Sequence, residues 1–306
     1  MKPSVAPLTF RDGFPDYVNY SELAKIEREF IDWYALNADD YDSTLPITFE
    51  ILGCNEDFER EKLYNSLDIK PYSKVLELGA GSGRDSQNIA SKLSSDGVLI
   101  MQDISSDILK FCRKKFEVSK SKSEIKCDYD FFLSNVTNIP YADNSFDRIF
   151  HFGGLNTFGN IEVALKEVSR VASDGAVVVI GDEGIAPWLT NSRFGRVLIA
   201  TNSQYANLPP LGELPETSCN VNVQWFCSEA FYFISYEVRK NPRSNVNFDV
   251  EIPGIRGGTP RKRADGILEG VSSNLKDSMY RRALEEKVSR VDLIEKVFLK
   301  YLGNYK

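Results

Sequence analysis

Residues 75–84 read VLELGAGSGR and combine a short apolar run with a glycine-rich turn. The apolar run predicts a buried strand, which leads directly into Gly79, Gly81 and Gly83. Glycine lets the backbone turn tightly and approach a ligand that a side chain would push away. A helical pattern over residues 84–94 follows. Strand, glycine turn and helix in this order predict a ligand site at the carboxyl end of a strand in an open α/β sheet.

Two acidic residues near this turn indicate which groups the ligand carries. Glu77 lies inside the strand, where an apolar residue is expected, and a charge placed there predicts a cationic partner. Asp103 ends the second predicted strand, from which a carboxylate can accept hydrogen bonds from both hydroxyls of a ribose. The dinucleotide pattern G-x-G-x-x-G is not met, because Arg84 stands at its third glycine. The sequence therefore favours a nucleoside ligand other than a nicotinamide dinucleotide.

At these residues the chain resembles the class I S-adenosylmethionine (SAM)-dependent methyltransferases, and most of all the small-molecule branch that includes quinone-biosynthesis C-methyltransferases. The matching motifs are VLELGAGSG at 75–83, DIS at 103–105 and NVTNIPYADNSFDRIF at 135–150. Three motifs in the family's order are more specific than the glycines alone. The resemblance covers residues 71–182 well. It implies a Rossmann-like fold that binds SAM and releases S-adenosylhomocysteine.

The resemblance also implies which residues hold the cofactor. Glu77 would act near its amino group, Asp103 on the ribose, Asn135 on the adenine amino group and Val136 on the adenine ring. An aromatic-plus-acid segment at Tyr41 would cover the cofactor. The full predicted set is Tyr41, Glu77, Gly79, Ala80, Gly81, Gly83, Asp103, Ile104, Asn135 and Val136.

The catalytic group is less determined, because methyl transfer from a sulfonium mainly requires alignment and exclusion of water. His151 is the only histidine and ends the fourth predicted strand. It is a candidate general base, and it is equally a candidate for a packed side chain at a strand end. Both interpretations stay open. The predicted acceptor-site residues are Tyr34, Asn156, Asp182, Glu183 and Trp188.

Composition excludes several classes of function. The 306 residues carry a formal net charge of −7, which disfavours a nucleic-acid surface. Five scattered cysteines, with no C-x-x-C pair, predict neither a zinc site nor a disulfide framework. No signal peptide and no membrane span are expected. The sequence thus predicts a cytoplasmic enzyme with a small-molecule substrate and no metal, and a homo-oligomer is open.

The predicted architecture is α/β: a Rossmann-like, seven-stranded, mostly parallel sheet with helices on both faces, an N-terminal helical cover and an inserted cap. The predicted strands are 74–79, 97–102, 129–134, 147–152, 176–181, 231–238 and 246–252. The predicted helices are 21–36, 47–69, 84–94, 106–116, 160–172 and one or two within 270–302. The predicted segments are an arm and cover at 1–70, a SAM-binding core at 71–184, a cap at 185–228, closing strands at 229–253, and a basic loop with helices at 254–306.

Two other functions fit parts of this pattern. A non-catalytic, SAM-binding partner protein would keep the same glycine turn and Asp103. A nicotinamide-dependent oxidoreductase would share the strand–turn–helix unit, but Arg84 argues against it.

Overall fold

The computed structural model describes residues 1–122, 124–253, 259–265 and 271–303. These form two compact units, Met1–Pro242 and Arg243–Lys306. The first unit contains the strands β1 Thr9–Arg11, β2 Phe14–Asp16, β3 Lys74–Leu78, β4 Val98–Asp103, β5 Asp128–Leu133, β6 Phe146–Phe152, β7 Ala172–Glu183, β8 Ser218–Phe226 and β9 Phe231–Val238. Its helices are α1 Lys25–Asn37, α2 Tyr41–Ile51, α3 Glu56–Leu67, α4 Arg84–Ser91, α5 Ser106–Ser121, α6 Ile161–Val171 and α7 Arg193–Thr201. The second unit contains α8 Pro260–Asp265, α9 Ser273–Glu286 and α10 Arg290–Leu302.

One mixed sheet organises the first unit, in the order β1-β2-β5-β4-β3-β6-β7-β9-β8. The strands β5, β4, β3, β6 and β7 pair in parallel, and β9 and β8 close the sheet antiparallel. Successive side chains of a strand point to opposite faces, so Val75 and Leu76 belong to two separate apolar clusters. Helices α3, α4 and α5 bury their apolar residues in the first cluster, and α6 buries its own in the second. The predicted α/β class, with helices on both faces, is confirmed.

The strand count of seven is wrong, because the sheet has nine strands. A hairpin of β1 and β2 lengthens the sheet beyond β5. Its turn is Asp12-Gly13, and both residues have positive φ. An Asp-Gly pair between short strands is a hairpin signature, and the N-terminal part of the predicted arm therefore contains two short strands.

The predicted strand at 246–252 is also wrong, and none of its residues is in a strand. Its alternating apolar residues are about half exposed, and the segment belongs to the second unit. The closing strand is instead β8, within the range predicted as a cap. The asparagines of β8 and its irregular register between Cys219 and Asn222 hid its pattern. The division into cover, core and cap stays a prediction.

The helices differ from the predicted ones mainly at their ends. The single helix predicted at 47–69 is two helices, α2 and α3, separated at Gly53, whose φ is +66°. Asn55 then caps α3 by accepting a hydrogen bond from the Phe58 N–H. Helix α5 continues to Ser121, beyond the predicted end at 116. The predicted basic loop lies partly outside the described residues, and its described part forms α8.

Across residues 1–122, 124–253, 259–265 and 271–303, no helix is long and apolar enough to cross a membrane. Within the same ranges, no group of three or more His, Cys, Asp or Glu side chains is arranged to hold a metal ion.

Asp16 secures the hairpin to the sheet and is fully buried. It accepts hydrogen bonds from the Val18 N–H at 2.9 Å, from Arg11 at 3.2 Å and from the Tyr20 hydroxyl at 3.2 Å.

Asp16→Ala should lower the free energy of unfolding by about 3 kcal/mol, because a buried N–H and hydroxyl lose their acceptor. Chemical denaturation measures this change. Asp16→Asn keeps one acceptor oxygen and should lose less; equal stability of both variants and the parent would contradict this role.

Candidate functional site

Two adjoining cavities lie at the carboxyl ends of the central strands. The first has an empty volume of about 900 Å³. Its walls include the glycine turn, the ends of β4, β5 and β6, and side chains of α1 and α2. The predicted site residues that line this cavity are Tyr34, Tyr41, Gly79, Ala80, Gly81, Asp103, Ile104, Asn135, Val136 and His151. The tertiary structure thus brings most of the predicted cofactor set together.

The glycine turn is held by hydrogen bonds from its backbone to two side chains of β4. The Gly79 N–H donates to Gln102 Oε1 at 3.1 Å, and the Gly81 N–H donates to Asp103 Oδ2 at 2.8 Å. The Gln102 amide also donates to the carbonyl of Ser134, which links β5 to the same turn. Sequence reasoning missed Gln102, although a buried amide inside the apolar run of β4 is itself an unusual feature.

The glycines serve different purposes. Gly81 has φ +54°, and a Cβ there would find no heavy atom closer than 3.9 Å, so the space beside it is open. Gly83 has φ +81°, but a Cβ there would lie 2.5 Å from Cys112 Sγ on α5. Gly83 is therefore required by helix packing, and it does not line either cavity. Gly81 is the position where a ligand can approach the backbone.

Asp103 is positioned to meet a polar ligand. It is 5% exposed, lines the first cavity and accepts one hydrogen bond on each oxygen, from Gly81 and from the Ser105 N–H at 2.9 Å. Burial raises the pKa of its carboxyl, and the backbone N–H groups act in the opposite direction. Each carboxylate oxygen has a further lone pair for a hydroxyl donor. Ile104 adds an apolar wall beside it.

Glu77 lies beneath the turn and outside the cavity lining. It is 2% exposed, and its Oε2 has no hydrogen-bond partner among the described residues. Burial raises its pKa well above the usual range, and nearby Asp85 raises it further.

Asp85 lines the first cavity and is held by two neighbouring side chains. Arg60 Nη1 donates to both of its oxygens at 2.7 and 2.6 Å, and the Tyr64 hydroxyl donates at 2.6 Å. Neither Arg60 nor Asp85 was predicted as a site residue, because in the sequence both resemble ordinary surface charges.

Asn135 is already engaged in protein contacts. Its amide nitrogen donates to Glu27 Oε1 at 2.8 Å, and its oxygen accepts from the Thr137 N–H and hydroxyl at 3.0 and 2.9 Å. Glu27 also accepts from the Gly159 N–H at 3.1 Å and caps α1 through the Ala24 N–H at 2.7 Å. One buried carboxyl therefore ties α1 to two loops of the core, and Val136 lines the cavity beside it.

Helices α1 and α2 form an aromatic wall over the cavities. The rings of Trp33, Tyr34 and Tyr41 meet edge to face, with centroids 5.2–6.3 Å apart. Burial raises the pKa of Tyr41 to about 12, and the carboxyl of Glu183 adds to this rise. Asp42 fastens α2 to the core by accepting from the Ser82 hydroxyl and from Lys115. Helices α1 and α2 thus pack on the core beside the cavities, and their role as a cover over the cofactor stays a prediction.

His151 is 1% exposed and lines the first cavity. Its Nδ1 lies 2.7 Å from the Leu78 carbonyl oxygen, which can only accept, so Nδ1 carries the proton. Nε2 is then an acceptor, and it has no partner among the described residues. Burial lowers the pKa of the imidazole to about 4. The ring also packs against Phe158, with centroids 4.7 Å apart, which fits the packing interpretation. The general-base interpretation assumed a pKa near neutrality, which the buried ring does not have, and a catalytic role for His151 stays a prediction.

The five predicted acceptor residues fall into three groups. Tyr34 and Glu183 line the second cavity, whereas Asp182 and Asn156 brace the loop after β6. Asp182 accepts from the N–H groups of Gly154 at 3.2 Å and Asn156 at 2.6 Å, and the Asn156 amide donates to the Glu183 carbonyl at 2.9 Å. Trp188 is 67% exposed, packs on Trp225 and lines neither cavity.

The second cavity has an empty volume of about 1160 Å³ and shares part of its wall with the first. The shared residues are Phe30, Tyr34, Tyr41, Leu45, Arg60, Phe152, Gly153, Gly154 and Thr157. Residues lining only the second cavity are Glu29, Trp33, Thr48, Phe49, Glu183, Gln204 and Phe231. One cavity therefore presents the glycine turn and Asp103, and the other presents mainly aromatic side chains.

A family model and the similar proteins of known name all belong to the methyltransferases. A model of the methyltransferase domain matches residues 69–226. A demethylmenaquinone methyltransferase from Paenarthrobacter aurescens is 32% identical over 124 residues, which are 40% of this chain and 44% of that protein. A ubiquinone/menaquinone biosynthesis C-methyltransferase from Xanthomonas campestris is 23% identical over 176 residues, 57% and 62% of the two chains. The chain thus spans less than two thirds of these relatives.

A solved structure shares the fold. Phosphoethanolamine N-methyltransferase 2 from Haemonchus contortus, crystallised with SAM, superposes with a TM-score of 0.52 at 14% identity. The match covers 72% of this chain and 61% of that one.

The single histidine allows a direct test of the site's electrostatics. Because the pKa of His151 is lowered to about 4, its imidazole resonances should not titrate between pH 5.5 and 8, and ¹⁵N shifts should report the Nδ1-protonated form. The unfolded chain takes up this proton near pH 6.5. The free energy of unfolding should therefore fall as the pH drops from about 6.5 to about 4. A midpoint near 6.5 in the folded protein would contradict the buried neutral ring.

Proposed function

The chain belongs to the methyltransferase domain family, and from this premise we propose that it transfers a methyl group from SAM to a small-molecule acceptor. The observation that carries the proposal is the pair of adjoining cavities with a common wall. A methyl transfer brings two molecules together in line, and holding both in one geometry supplies much of the rate enhancement.

The first cavity fits SAM. When bound, SAM supplies a methyl group activated by a positively charged sulfur. The open space beside Gly81 would admit its amino-acid part, and Asp103 would accept hydrogen bonds from the ribose. Ile104 and Val136 would pack on the adenine. Because the Asn135 oxygen already accepts two hydrogen bonds, which fill its acceptor capacity, we propose that Asn135 acts by shaping this pocket through Glu27.

The walls of the site also suit a cationic ligand. Tyr34 and Tyr41 line both cavities, and aromatic faces attract a sulfonium by about 0.5–2 kcal/mol. Helices α1 and α2 exclude water from this side of the cavity. Neutral His151 presents Nε2 as an acceptor, so we propose that it receives a hydrogen bond from the acceptor molecule and orients its nucleophilic atom.

Binding and turnover test the function together. The purified protein should bind SAM, and it should transfer labelled methyl to at least one member of a metabolite panel. Asp103→Ala should weaken SAM binding by roughly ten- to a hundredfold, since a charged acceptor is lost. Titration calorimetry measures this affinity. Asp107→Ala is the matched control, because that acid lies on the exposed side of α5 and pairs with Lys110.

The outcomes separate the rival functions. Binding of SAM without transfer to any acceptor would support a non-catalytic partner protein. Binding of a nicotinamide dinucleotide in preference to SAM would support the oxidoreductase. Unchanged SAM affinity in a folded Asp103→Ala protein would refute the ribose assignment.

His151→Phe separates catalysis from packing. Phenylalanine keeps a ring against Phe158 but removes the acceptor at Nε2. We expect kcat to fall by about 10²-fold with SAM affinity little changed. Steady-state kinetics and thermal denaturation should be measured on the same samples. A lower melting temperature with near-normal turnover would leave only the packing role.

A further inference from the structure

The second cavity ends on a carboxyl group without a cationic partner. Glu183 closes β7, lines this cavity and stands opposite Phe231 in the strand register. Among the described residues, the ion pairs include none at Glu183 or at its neighbour Asp182. Asp182 uses its oxygens on backbone N–H groups, and burial raises its pKa well above the usual range, with Glu183 adding to the rise. The two carboxyl groups also share a hydrogen bond with each other, and among the described residues neither forms an ion pair with a lysine or arginine.

Arg60 does not supply that charge. It is the one lysine or arginine among the described residues lining the second cavity. Its guanidinium is already shared between Asp85, at 2.6 Å, and Glu56, at 2.7 Å. Arg84 also pairs with Glu56, so two arginines and two acids balance each other and leave no excess positive charge for an anionic acceptor. The electrostatic balance of the cavity thus favours a cation.

The wall around Glu183 is rich in aromatic rings. Trp33, Tyr34, Tyr41, Phe152 and Phe231 all line the cavity. Rings attract an ammonium through their faces, and aromatic enclosures with an acid are the usual arrangement for alkylated amines. A neutral acceptor would gain only the apolar part of this interaction.

A second feature, where the two cavities meet, is a buried acceptor atom, and it indicates that the ligand carries a hydrogen-bond donor. The unpartnered Nε2 of buried His151 would lie 3.8 Å from a Cβ at Gly154, and Gly154 lines both cavities. Nε2 can only accept, because Nδ1 carries the proton. His151, which lines the first cavity, and Glu183, which lines the second, both offer acceptors to a ligand at this place. They suit an ammonium, because Glu183 attracts its charge and any N–H group that it carries can donate to Nε2.

We propose that the acceptor is a small amine that binds as its ammonium against Glu183, inside the aromatic wall of the second cavity. Before methyl transfer the ammonium would give one N–H proton to the Glu183 carboxylate, which frees the nitrogen lone pair for the methyl group of SAM, and S-adenosylhomocysteine would be the leaving group. This assignment rests on the proposed methyl transfer and names the substrate class of the same site.

The charge of the ligand can be tested with an isosteric pair. Choline and 3,3-dimethylbutan-1-ol have nearly the same shape, and only choline is charged. Calorimetric titration of the full-length protein loaded with S-adenosylhomocysteine should show choline binding at least about tenfold more tightly. Glu183→Gln should abolish most of that preference while S-adenosylhomocysteine affinity stays unchanged. Glu162→Gln, which removes an exposed acid of α6 paired with Lys166, should behave as the parent.

Each outcome bears on one proposal. Equal binding of the two probes, or no choline binding to the loaded protein, overturns the amine assignment and leaves methyl transfer standing. A preference for choline that survives in Glu183→Gln also overturns it, since the carboxylate is then not the recognition group. Failure to bind S-adenosylhomocysteine at all would instead defeat the proposed function.

Discussion

The site depends on hydrogen bonds from the backbone of the glycine turn to the end of β4. Gly79 and Gly81 both have positive φ, and their N–H groups donate hydrogen bonds to the side chains of Gln102 and Asp103. A turn in this conformation has few internal hydrogen bonds, so side chains of the adjacent strand must provide them. Because the same Asp103 faces the cavity, the shape of the turn and the polarity of the ligand site are set by one carboxyl group.

Acidic side chains of α1 and α2 connect these helices to the core. Glu27 on α1 reaches Asn135 and Gly159, and Asp42 on α2 reaches Ser82 and Lys115. Each acid has its hydrogen bonds satisfied, which is the condition for tolerating such groups in an interior. Glu77 and Glu183 are different. Glu77 Oε2 has no hydrogen-bond partner among the described residues, and the Glu183 carboxyl shares a hydrogen bond with a second acid, Asp182. Glu77 lies below the turn, whereas Glu183 faces a cavity; this difference in position separates a structural acid from a candidate recognition group.

The residues predicted for one role sometimes serve another. Gly83 was expected to admit the ligand, but its space is taken by Cys112. Asp182 was expected in the acceptor site, and it braces the loop at Gly154 and Asn156 instead. In each case residue type and position along a strand end were informative, but the direction of the side chain was decided by neighbours distant in sequence.

Local patterns alone determined the central part of this protein. The strand–glycine–helix unit at 75–91, the acid at Asp103 and the alternation of strands with helices follow from short-range periodicity and backbone geometry, which the sequence carries directly. Only the tertiary structure revealed the hairpin at 9–16, the pairing of β8 with β9 and the roles of Gln102, Arg60 and Glu27. These depend on contacts between residues far apart in the chain. A polar side chain gives no local indication of whether it faces solvent, a cavity or a buried partner, and that choice is made when the elements pack.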